Sequence, residues 1–295
     1  MLAKRTDLAL EARELWQESA ENTGRLSGVR AKTSRQEGGP VTKVEILNDR
    51  GAKALGKPCG RYFSVDLKEC LHRRDFDRAV RVVGRQLRLL TPREGSLLIV
   101  GLGNAAMTPD AIGPLTAQHL LVTRHLISAL PEQFGAFRDV AVLTPGVLGS
   151  TGIETAEAVR SLAAQLRPAA VIAVDALASR RMSRLCTTVQ ISDSGIVPGS
   201  GVGNHRHALN KETLGVPVIA LGVPTVVDAA TVAADLLEEN GITEISPERL
   251  QKGSNVFVTP RDIDAQVRQI GKILGYAINW AFQELEMDEI TTLLS

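Results

Sequence analysis

The chain has 295 residues, of which 44% are hydrophobic, 23% charged and 3% aromatic, with a net charge of +1. This composition suffices for a sizeable core. With neither a basic excess nor aromatic density, it argues against a nucleic-acid stacking platform or a membrane-surface binder. Three cysteines, Cys59, Cys70 and Cys186, include no Cys-x-x-Cys pair, so neither a disulfide framework nor a thiolate zinc site is expected, and a reducing, cytoplasmic compartment fits. No apolar run approaches the roughly 20 residues of a membrane helix, and the N-terminus lacks a signal-peptide core.

In chain order, Thr6 or Asp7 is placed to cap a helix over Leu8–Glu18. Residues 19–39 are polar and glycine-containing and read as a connection. Val41–Leu47 alternates as a half-exposed strand does. A short helix is expected over 49–57 and a strand over Arg61–Leu67. Phe76, Val80, Val83, Leu87 and Leu90 recur at helical spacing until Thr91-Pro92 stops the pattern.

From residue 97 onward, strand and helix alternate. Strands are expected at 97–101, 139–143, 171–175, 188–192 and 216–221, with helices over about 112–129, 152–166 and 225–239. The pattern predicts an α/β fold, its sheet largely parallel and covered on both faces. Residues 240–258 read as loop. Thr259-Pro260 then opens a long helix with Ile263, Val267, Ile270, Leu274 and Ile278 on one face, and 286–295 read as a fraying tail. The expected organisation is a short pro-segment at 1–7, an accessory region at 8–92, a catalytic core at 93–285 and the tail.

The chemistry is expected where strands end. Leu97–Val100 runs into Gly101-Leu102-Gly103-Asn104, and Asp110 closes the loop that follows. Val171–Val174 runs into Asp175. Ligands gather outside the carboxyl ends of strands in open α/β sheets, so these two acids are candidates to meet. Two neighbouring carboxylates titrate apart, one holding a proton while the other accepts one, which is what hydrolysis by activated water requires. Read singly, each acid is an ordinary cap or strand end. The GxG turn lacks the third glycine of a dinucleotide fingerprint, because Ala106 stands in its place. The loop 192–206 holds four glycines, and its backbone N–H groups suit an extended peptide or an anion. Gly103, Asn104, Gly199, Gly201 and Asn204 are the candidate substrate-binding positions. His205 and His207, with the two acids, leave open a metal-dependent protease, and the GLGN loop leaves open a non-catalytic nucleotide- or peptide-binding module. No cofactor is called for.

Six segments carry a resemblance: RTDLALEARE (5–14), GLGN…TPDAIGP (101–114), PGVLGSTGIET (145–155), VIAVDALASR (171–180), QISDSGIVPGSGVGNHR (190–206) and LGVPVIALGVPTVVDA (214–229). Together they resemble the germination protease of spore-forming bacteria, and the match runs over most of the chain. The resemblance implies an atypical aspartic endopeptidase with Asp110 and Asp175 as the catalytic acids, and a fold akin to hydrogenase maturation proteases. It further implies small acid-soluble spore proteins as substrates, a homotetramer in the spore core, and synthesis as a zymogen. No membrane and no direct nucleic-acid partner is implied. In relatives the pro-segment is lost at the RTDLA motif, which places self-cleavage between Asp7 and Leu8, with Lys4 and Arg5 pairing with nearby acids. Two departures are expected to matter: only Met1–Lys4 precede RTDLA, and the link between 240 and 257 is shorter than in relatives.

Overall fold

The computed structural model describes residues 4–19, 26–199, 207–240, 242 and 256–295. Among them, nine strands form one sheet in the order β1-β2-β3-β7-β8-β6-β4-β5, with β9 added to β8. The strands are β1 (Val29–Gln36), β2 (Gly39–Ile46), β3 (Gly60–Asp66), β4 (Leu97–Gly101), β5 (Val140–Leu143), β6 (Ala170–Ser179), β7 (Thr188–Ser192), β8 (Val218–Asp228) and β9 (Phe257–Val258).

The sheet is mixed, and here the expectation of a largely parallel sheet fails. Pairs β4–β5, β4–β6 and β6–β8 are parallel. Pairs β1–β2, β2–β3, β3–β7, β7–β8 and β8–β9 are antiparallel. The cause lies in the connections. A parallel neighbour needs a crossover of about a dozen residues or more. Only residues 180–187, holding one 3₁₀ turn at Met182–Arg184, separate β6 from β7. β7 therefore enters beyond β8 and runs against it. Residues 19–39 are likewise not all connection, because β1 pairs with β2 across a tight turn at Glu37-Gly38.

The parallel strands are apolar on both faces because both are covered. On one face, Ile99, Ile172 and Ile219 pack against Val80, Val83 and Leu87 of the helix Phe76–Leu90, and against Ile270, Leu274 and Ile278 of the helix Ile263–Phe282. On the other, Leu98, Val100 and Val171 meet Val159 and Ala163 of the helix Thr155–Leu166. Gly84 lets the first two helices close up, since a Cβ there would stand 2.5 Å from the Trp280 ring.

Other boundaries move for local reasons. The helix expected over 112–129 is two, Ile112–Ala117 and Arg124–Ala129. The buried Asn279 takes over the backbone between them: its amide donates to the His119 carbonyl (2.9 Å) and accepts from the Leu121 N–H (3.0 Å). The long helix begins at Ile263, after the Thr259-Pro260 signal. Residues 287–294 form a helix with a Glu286–Glu289 capping box and Met287 and Ile290 buried, so the tail is folded onto the core. The first helix starts at Ala9 without a side-chain cap. Strands β6 and β8 run on past Asp175 and Leu221, so Asp175 lies in mid-strand.

Candidate active site

Parallel register brings the two acids together. β4 ends at Gly101, opposite Val174 of β6, and the Leu102 N–H closes on the Val174 carbonyl at 2.8 Å. Asp175 is the next residue on β6, so it emerges where the β4 loop begins. That loop then folds back on itself. Gly103 has φ +106°, and a Cβ there would stand 2.0 Å from the Asp110 carbonyl oxygen, so only glycine fits. The Asn104 N–H donates to both the Asp110 carbonyl (3.0 Å) and Oδ2 (2.9 Å). The Ala106 N–H donates to Asn104 Oδ1, and Thr108–Asp110 forms a 3₁₀ turn.

Two simpler readings of these residues lose ground. Asp110 does not cap the helix at Ile112, which has no side-chain cap. The N–H groups of Leu102, Asn104, Ala106 and Met107 are spent inside the protein rather than offered to a phosphate.

Both acids line one cavity of about 410 Å³, together with Gly103, Asn104, Gly199 and Thr225. Their environments differ. Asp110 is half-buried. Asp175 is 4% exposed, and its Oδ1 accepts from the Ala176 N–H at 2.9 Å. Its pKa is pushed up from 3.8 to about 8, first by burial and then by the charge of Asp110. The Asp7 charge adds to the rise, while the Ala176 and Gly199 N–H groups oppose it. A buried carboxyl of this kind is protonated at neutral pH.

Three of the five candidate substrate-binding positions, Gly103, Asn104 and Gly199, line this cavity. Gly201 and Asn204 lie outside the described residues, as does His205. His207 is exposed. Among the described residues, no group of three or more His, Cys, Asp or Glu side chains could hold a metal ion. No described helix is long and apolar enough to cross a membrane.

A second cavity of about 370 Å³ shares Leu177 with the first and contains Asp7, Lys57 and Gln190. Asp7 is bound to the β6 edge rather than capping a helix. Its N–H donates to the Ala178 carbonyl and its Oδ2 accepts from the Ala178 N–H, both at 2.8 Å. Gln190 brackets the segment, donating to the Asp7 carbonyl (3.1 Å) and accepting from the Ala9 N–H (2.8 Å). Leu8 is fully buried. Lys57 donates to the Thr6 carbonyl, and burial lowers its pKa against the pull of Asp7 and Glu11. Lys4 pairs with Asp235 and Glu238, each at 2.6 Å, and so with acids of the helix Ala229–Glu239 rather than with the cavity pair. Buried Glu11 accepts from Thr6, from the Arg180 and Arg181 N–H groups and from the Arg184 guanidinium, fastening the first helix to the chain beyond β6.

The sequence does not single out Lys57 or Gln190, and it places Thr225 at the start of an expected helix rather than in a strand. Gln190 left a faint signal, as a polar residue between Val189 and Ile191 of an expected strand.

The germination protease family model matches residues 9–241. A germination protease of Caldanaerobacter subterraneus subsp. tengcongensis is 41% identical over 326 positions, covering 98% of each chain. One from Clostridium perfringens is 41% identical over 324 positions, covering 99% of each. Those aligned lengths exceed the 295 residues here, so both relatives carry residues that this chain lacks. A Bacillus cereus germination protease is 44% identical over 248 positions, covering 79% of this chain and 66% of its own. Among solved structures, the [NiFe] hydrogenase maturation protease HycI of Thermococcus kodakarensis aligns with a TM-score of 0.37 and 18% identity, over 66% of this chain and 99% of that one. On the family model and these full-length relatives, the chain belongs to the germination protease family.

Proposed function

We propose that the chain is an endopeptidase in which Asp110 and Asp175 act together on a water molecule, and that its substrates are small acid-soluble spore proteins. The observation that carries the reading is the shared cavity with two unlike acids, one half-exposed and one buried with its pKa near 8. Asp110, as carboxylate, takes a proton from water while the water oxygen attacks the scissile carbonyl carbon. Asp175, as neutral acid, donates its proton as the C–N bond breaks and the amine leaves. The products are a new carboxyl and a new amine, and one proton exchange between the acids restores the pair. The two titrate as a unit, so their pH profile belongs to the pair.

The same proposal extends to Asp7–Leu8 as a self-cleavage site. Supporting it, Asp7 lies close enough to Asp175 for its charge to be felt there. The peptide is also held extended by Ala178 and Gln190, as a strand-like substrate is held. A homotetramer in the spore core belongs to the same reading.

The test is incubation with a purified small acid-soluble spore protein, with fragments read by mass spectrometry and the enzyme's own intact mass followed in parallel. Asp110→Asn and Asp175→Asn are each expected to abolish fragment formation and shortening while leaving the thermal transition in place. Wild-type turnover in both variants would refute the acid pair. A wild-type chain that never shortens but digests substrate would remove the self-cleavage step alone.

A further inference from the structure

Strand β8 is irregular at one point, and that point lies in the candidate site. Along β6 and β8 the register runs Asp175↔Gly222, Ala176↔Val223 and Leu177↔Pro224, then resumes at Ala178↔Val226. Thr225 is the extra residue. A bulge forfeits regular ladder pairing and re-aims a side chain, and such features collect beside active sites. Here the re-aimed side chain is fully buried and lines the cavity that holds both acids. Its Oγ1 donates to the Pro109 carbonyl at 2.6 Å. That carbonyl belongs to the peptide that leads into Asp110.

The Leu102 N–H fastens the start of this loop to the Val174 carbonyl of β6, and two further bonds lie nearer Asp110. Asn104 binds Asp110 from within the loop, and Thr108 binds Asp264 on the outer side, at 2.6 Å. Neither ties the loop to the strands beneath the acids. We propose that Thr225 is a positioning residue for Asp110: its hydroxyl anchors the Pro109–Asp110 peptide to β8, so that the Asp110 carboxylate faces Asp175 across the cavity. This rests on the acid-pair reading for its catalytic consequence, but the placement of Asp110 can be read without activity.

Thr225→Val keeps the shape and strand preference and deletes the donor, whereas Thr225→Ser keeps the donor. Turnover is measured on a fluorogenic peptide spanning a cleavage site mapped on a spore protein. Misplacement of a reacting group by about 1 Å costs about 100-fold. Thr225→Val is therefore expected to lower kcat by ~10- to 100-fold with KM within ~3-fold, and Thr225→Ser to stay within ~3-fold of wild type. The second readout is the titration midpoint of Asp175, followed by carboxyl ¹³C NMR and assigned with Asp175→Asn. The charges that bear on it are those of Asp110 and Asp7, with the Ala176 and Gly199 N–H groups opposing them. Withdrawal of Asp110 lowers that midpoint, so it should fall in Thr225→Val and hold in Thr225→Ser. A merely structural hydroxyl would cost stability without moving the midpoint.

Wild-type kcat in folded Thr225→Val, or a loss of kcat with an unmoved midpoint, would overturn the assignment. If Thr225→Val does not fold, Thr225→Cys fills the same space with a weak donor and should show the same two shifts, smaller in size. Unaltered turnover and midpoint there would equally refute it. Should Asp110→Asn and Asp175→Asn both keep wild-type turnover, the acid-pair reading falls, while the midpoint in Thr225→Val still decides whether Thr225 places Asp110.

Discussion

Two halves of one sheet are built differently. In the parallel half, β5-β4-β6-β8, the central strands are buried along their length and helices cover both faces. In the antiparallel half, β1-β2-β3-β7, burial fades outward: β7 is fully buried, β2 alternates, and the interior of β1 is exposed on both faces. The connections explain the contrast. Parallel strands need covering crossovers, so every one of their carboxyl ends opens into a loop at the same edge. That edge receives the β4 loop with Asp110, and Asp175 beside it. In the other half β1 and β2 turn back directly, and the N-terminal segment lies at the border of the halves, where Asp7 binds Ala178 of β6 and Gln190 of β7 holds the Asp7 and Ala9 backbone. The paired acids thus reside in the parallel half, burial extends from it through β7 and fades toward β1, and β8 is the seam.

The contrast breaks if a core residue of the parallel half proves dispensable. Ile172→Ala removes a fully buried side chain of β6 and is expected to cost about 2–5 kcal/mol, measured by denaturant unfolding. Next in size is a change confined to the loop. Gly103→Ala places a methyl 2.0 Å from the Asp110 carbonyl oxygen at a positive φ. It is expected to lower peptidase turnover by ~10-fold or more with a smaller effect on the melting temperature. An equal loss of both would mean that the loop belongs to the core.

A third measurement concerns the burial of Asp175. With a folded pKa near 8 against 3.8, the folded chain keeps a proton that the unfolded chain has shed. Its contribution to stability therefore falls as pH rises between those values and levels off above 8. Asp175→Asn carries no such penalty. Its melting temperature relative to wild type should climb from pH 4 to pH 8 and then stay constant; a gap independent of pH would show that Asp175 is not held neutral. The smallest effect belongs to the far edge. Ala31→Ser on β1 should shift stability by no more than about 0.5 kcal/mol.

Elements whose signals are local can be read directly from the residues. The apolar runs at 97–100 and 171–174 mark buried strands because both faces must be covered, and Phe76–Leu90 marks its helix by the spacing of Val80, Val83 and Leu87. Asp110 and Asp175 were legible as candidates because each follows such a run, and the motifs around them indicated the family. Strand direction was not legible. Nothing in Thr188–Ser192 states which way it runs; that follows from the eight residues at 180–187 and the place left open beside β8. Nor was the break at 118–123, which depends on an amide at Asn279, far along the chain. The pKa of Asp175 is a property of its neighbours: it requires the burial supplied by β4 and β8 and the charge of Asp110 delivered across them. Thr225 is the same case: it is the expected start of a helix, and the structure instead sets it in β8 at a register slip. Local sequence sets backbone preference and which face is apolar, but direction, register and electrostatic environment arise from contacts between distant segments, which exist only once the chain has folded.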